Sequence, residues 1–128
     1  MFIRFICGEI DERSQRRAGL FCAVSLLQET CYIPKYELEA VEEIVDWFNR
    51  YLESPFDYLP EYSRYDPAVC WFKSTASDYL AKAWELVTIL ERNDILIWTI
   101  KSHCVGHVYY EDQFQILAIP YLDGRRRR

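Results

Sequence analysis

The 128-residue chain is 51% apolar and holds ten Tyr, seven Phe and four Trp, which excludes disorder for the body of the protein and supports one domain with its own core. Its net charge is −5, and four of its fifteen basic residues are the terminal run Arg125–Arg128. Without that run, eleven basic groups face twenty acidic ones, a body near −9, which repels phosphate backbones and excludes broad nucleic-acid binding. Residues 1–122 therefore read as a single globular domain and residues 123–128 as an Arg-rich, disordered tail.

Phe2 to Cys7 is a short β-prone run ending at Gly8, which predicts a buried first strand. Glu9 to Arg13 is polar and predicts a loop. Ser14 suits an N-cap, and Leu20, Ala23, Val24 and Leu27 recur at helical spacing to about Gln28. A strand through Leu20 to Leu27 is the alternative, because nearly every residue there is apolar.

A second helix is predicted over Lys35–Tyr51, with Leu38, Val41, Val45, Phe48 and Leu52 on one stripe and Pro34 just before the first turn. Three of its acids, Glu39, Glu42 and Glu43, lie where the helix dipole favours negative charge. The stretch Ser54–Pro67 then holds four aromatics and three prolines with no hydrophobic period, a composition that opposes a long helix or a central strand. Thr75 and Asp78 fit a capping arrangement for a third helix carrying Leu80, Ala83, Trp84, Val87 and Leu90, with Asn93 as its stop. The segment Ala68–Lys73 stays unassigned, within that helix or ahead of it.

Ile95–Ile100 is continuously apolar and predicts a strand buried on both faces. Val108–Tyr110 and Phe114–Ile119 complete the β structure as an antiparallel pair, the last with one wet face carrying Gln113 and Gln115. The expected fold is α+β: a small, largely antiparallel sheet of about three strands with three helices on one face, in the order β-α-α-α-β-β.

The five cysteines (Cys7, Cys22, Cys31, Cys70 and Cys104) are scattered, with no CxxC and no export signal ahead of them. This predicts reduced thiols, a cytoplasmic location and no membrane anchor. His103-Cys104-Val105-Gly106-His107 is the only cluster with metal-ligand residue types. Three such donors suit part of a zinc site. The plainer reading is a hairpin loop in which Gly106 takes a positive φ.

A nucleophilic Cys104, Cys70 or Cys22 lacks an assignable base. Cys22 reads as core, and Cys70 has only Lys73 nearby as an activating charge. Arg13, Arg16 and Arg17, after the first strand and before a helix start, offer a weak anion site. Glu42 with Asp46 reads as helix solvation, and Glu111 with Asp112 as a turn.

The aromatic stretch is the leading candidate for recognition: Phe56, Tyr58, Tyr62 and Tyr65, continued by Trp71 and Lys73, supply the residue types of interface hot spots. The expectation is an interaction or ligand-binding module that self-associates, as a homodimer, through this aromatic surface or binds another protein. No cofactor and no catalytic residue are assigned. The alternative is a small enzyme or metal-dependent protein built on His103, Cys104 and His107.

Overall fold

The computed structural model describes residues 1–10, 17–30, 33–54 and 68–120. The elements in chain order are β1 (Phe2–Ile10), β2 (Arg17–Gly19), α1 (Leu20–Thr30), α2 (Lys35–Tyr51), β3 (Val69–Lys73), α3 (Ser77–Arg92), β4 (Trp98–Ser102), β5 (His107–Glu111) and β6 (Gln115–Ile119). The α+β class and the three helices are as expected, but the sheet has six strands rather than about three, all paired antiparallel. The order is β-β-α-α-β-α-β-β-β. None of the described helices is long and apolar enough to cross a membrane.

β1 organises the sheet. Its nine residues pair along one edge with β4, from Phe2↔Ser102 to Ile6↔Trp98. Along the other edge it serves two strands in succession, β3 at Phe2 and Ile3, then β2 at Ile6 and Ile10. β6 and β5 continue the sheet beyond β3. β2 is only three residues long and has no strand signal of its own, so the pairing with β1 creates it. The expected helix start at Ser14 is displaced to Leu20, and the connection after β1 leads into a strand, not a helix N-terminus.

The helices occupy one face. Alternation along β1 sends Phe5 and Cys7 into a core shared with Leu20, Ala23, Val24 and Leu27 of α1, Val41, Ile44 and Phe48 of α2, and Ala83, Leu86, Val87 and Leu90 of α3. α2 spans the predicted Lys35–Tyr51, with Pro34 as its N-cap residue. Near its start Glu37 is buried, where its carboxylate accepts from Arg92 Nε at 2.9 Å and Asn93 Nδ2 at 3.2 Å, tying the start of α2 to the end of α3. The expected Thr75 cap is not formed: Ala76 is the N-cap residue of α3 and no side chain bonds there. Asn93 ends α3 as expected, followed by Asp94 at φ 67°.

Two expectations about the strands exchange places. The run predicted to be buried on both faces, Ile95–Ile100, supplies an outer strand whose Trp98, Thr99 and Lys101 are exposed. The strand expected to be wet on one side, β6, lies between β3 and β5 and is buried on both faces, Gln115 included.

The connection from β4 to β5 crosses the face opposite the helices. Val105 there packs with Phe2, Trp71, Ile116 and Ala118. Ser102 and His107 are five Cα steps apart, at most about 19 Å of chain. Four interstrand spacings of about 4.8 Å would consume all of that in a flat sheet. The sheet must therefore curl toward this connection.

Candidate functional site

Where β2 and β3 part along the same edge of β1, the sheet opens. Ile3 pairs with Phe72 of β3 and Ile6 with Gly19 of β2. Between them, Arg4 and Phe5 have ladder partners only in β4 among the described residues. A cavity of about 280 Å³ occupies this fork. Its walls come from β1 (Arg4, Phe5), the start of α1 (Leu20, Phe21, Cys22), the end of α2 (Phe48, Asn49, Leu52) and β3 (Val69 to Phe72). Glu53, Ser54 and Gln115 complete the lining.

The lining is mostly hydrophobic, and its rings are held by their neighbours. Phe21 meets Phe48 edge-on at 5.1 Å between centroids, and Phe72 lies 6.1 Å from Phe48 and 6.3 Å from Phe5. Polar groups sit at defined points. Gln115 is fixed: its Nε2 donates to the Glu53 carbonyl at 2.8 Å and to Asp112 Oδ2 at 3.1 Å. Trp71 is among the lining residues, with its ring packed on Val105 and Phe2, and among the described residues its buried indole N–H has no hydrogen-bond partner. A buried donor without an acceptor is rare, because it loses its bond to water and gains nothing.

Asp112 anchors the turn that carries Gln115. Burial alone would raise its pKa. Hydrogen bonds from the Phe114 N–H, the Gln115 side chain, the Tyr110 hydroxyl and the Gln115 N–H outweigh that and hold the carboxyl below its ordinary value. Tyr79 packs on Phe114 at 4.3 Å and donates to the Tyr51 carbonyl at 2.8 Å. Burial raises its pKa, reinforced by the charges of Asp112 and Asp78 and by Tyr51.

The sequence-predicted residues separate. Trp71 is in the cavity wall. Lys73, two residues on, lies on the sheet face away from the helices and pairs with Glu111 at 2.6 Å. It is thus no activating charge for Cys70, which faces the helix side with Phe72. Cys70 and Cys22 both line the cavity, and Cys22, expected in the core, is exposed. Phe56, Tyr58, Tyr62, Tyr65, Arg13 and Arg16 lie outside the described residues, and Arg17 begins β2. The chain nevertheless leaves the described region at Ser54 and re-enters it at Ala68, next to Val69. Ser54 and Val69 both line the cavity.

His103, Cys104 and His107 are exposed at the β4–β5 connection. That connection is not a hairpin, since β4 pairs with β1 and β5 with β6. Gly106 does take a positive φ, 111°. Among the described residues, no group of three or more His, Cys, Asp or Glu side chains is placed to hold a metal ion.

Sequence reasoning missed the fork itself. The signal for β3 was present in the run Val69-Cys70-Trp71-Phe72 after Pro67. β2 gave none. In comparisons with known proteins, the chain matches no family model, no curated protein and no solved structure.

Proposed function

We propose that this protein is a small ligand-binding and interaction module whose site is the cavity at the fork of β1, β2 and β3. The observation that carries this reading is a mostly apolar cavity of about 280 Å³ walled by the rings of Phe5, Phe21, Phe48 and Phe72. Such a site suits a small apolar or aromatic molecule, or an apolar side chain of a partner. Ligand pockets usually range from about 300 to 1,000 Å³, so the occupant is small.

The aromatic segment belongs to the same recognition surface, because its two ends join the chain at the cavity wall. Cys7 and Cys104 are free thiols, which fits a reducing, cytoplasmic setting.

The test is titration with the apolar fluorophore 1-anilinonaphthalene-8-sulfonate, followed by fluorescence. Saturable one-to-one binding is expected, abolished by Leu52→Trp, which fills the cavity, in a variant that still unfolds cooperatively. Absence of saturable binding, or binding indifferent to Leu52→Trp, would discard the site.

A further inference from the structure

We propose that β4 is a docking edge for a second copy of this chain, the two β4 strands pairing antiparallel so that one sheet runs through both protomers. Successive backbone N–H and C=O groups of a strand point to opposite edges, so half of those in β4 point away from β1. Among the described residues, β4 pairs with β1 alone.

Among the described residues, two of the devices that usually protect such an edge, a bulge and a proline, are missing here. Pairing with β1 continues without a bulge from Phe2↔Ser102 to Ile6↔Trp98, and the strand contains no proline. Leu96 and Trp98 at its entry are 64% and 51% exposed. The helices do not cover it, since Thr99 and Lys101, which share a face with Phe5 and Ile3, are exposed too. Trp84, whose ring meets Phe5 edge-on at 5.1 Å, is 50% exposed.

The charges favour a second copy as the occupant. Glu91 and Asp94 precede the strand and Lys101 lies toward its end. An antiparallel arrangement of two identical strands sets the acidic end of each beside the basic end of the other, whereas a parallel one sets like beside like. The Glu91 carboxylate already accepts from the Ile97 N–H at 3.4 Å, which keeps the acidic end against the strand.

Sedimentation velocity on the full chain over a range of concentrations tests this. A monomer–dimer equilibrium is expected. Thr99→Lys brings two like charges together near the two-fold axis and should weaken association about tenfold or more. Unchanged circular dichroism and thermal unfolding would show that its fold is intact. Lys101→Glu, a surface charge reversal, should also weaken association and keeps the test alive if Thr99→Lys unfolds. A protein that stays monomeric at every concentration overturns the proposal. So does a dimer that ignores both substitutions, and so does one dissociated only by Tyr62→Ala with Tyr65→Ala, which would move the interface to the aromatic segment. Fluorophore binding in the cavity is independent of either result.

Discussion

Among the described residues three strands have a single partner, and the two of five residues, β4 and β5, end the sheet in different ways. β5 pairs with β6 through a register shift between Val108 and Tyr110, which bends the strand and interrupts its edge. Side chains then fasten it: Glu111 to Lys73, and Tyr110 through its hydroxyl to Asp112 Oδ2 at 2.8 Å. β4 has a continuous ladder, exposed apolar residues and, among the described residues, no comparable ties. An edge can be closed locally by a bulge and polar anchors, or left complementary to another chain. This molecule uses the first solution on one side and offers the second on the other.

The comparison breaks most severely at the approach to β5. Gly106 has φ 111°, and a Cβ there would collide with the Ile119 carbonyl oxygen and lie 2.8 Å from both Ile119 C and Pro120 Cα. Those atoms are backbone and cannot swing aside. Gly106→Ala should cost about 3 kcal/mol or more, from the strained φ plus the displacement of β6 from the landing point of the connection. Chemical denaturation would read this as a lower midpoint at unchanged slope. A loss below about 1 kcal/mol would mean that β5 is not fixed by this close approach.

The turn between β5 and β6 comes next. Asp112 Oδ1 accepts from the Phe114 N–H at 2.8 Å and the Gln115 N–H at 3.0 Å, while Oδ2 accepts from Tyr110 and Gln115. Asp112→Ala leaves these donors unanswered and should cost about 2 kcal/mol near neutral pH. The folded carboxyl has a lowered pKa. Its contribution is therefore present above the unfolded value, about 3.9, and is lost as pH falls through the folded value. The difference in stability between the parent protein and Asp112→Ala should shrink on acidification below about pH 4. A difference that stays constant with pH would show that the side chain acts by packing, not charge. The same variant should loosen Gln115 and so weaken fluorophore binding in the cavity, a consequence that no change at β4 should share.

What the sequence made legible follows a physical division. α2 could be read to its bounds because a helix is written locally, in a 3.6-residue apolar stripe with Pro34 at its head. Strand neighbours are not local. Ile95–Ile100 reads as interior because every residue is apolar or β-branched, yet it leads into an outer strand with exposed Trp98 and Thr99. Gln115 reads as wet because it is polar, yet it is buried against the Glu53 carbonyl, 62 residues away. The cavity was legible only through Trp71, and for a different reason. Its wall exists because β1 is long enough to serve β2 and β3 in succession, and a three-residue strand such as Arg17–Gly19 leaves no pattern to read.

The smallest expected effect gives the finest test of how β5 is closed. Lys73 Nζ lies 2.6 Å from Glu111 Oε2, with side chains 23% and 49% exposed. Water and salt screen a pair in that setting, so Lys73→Met should cost less than about 1 kcal/mol. The double substitution with Glu111→Gln should reveal a coupling of a few tenths of a kcal/mol that fades at about 1 M salt. The bulge at Tyr109 and the Asp112 turn remain in that variant, so β5 should stay closed and the oligomeric state should not change. If losing this one ion pair instead produced new association, β5 would be an edge held shut by charge. The contrast with β4 would then be one of degree, set by ionic strength, and no longer a division between a closed edge and an open one.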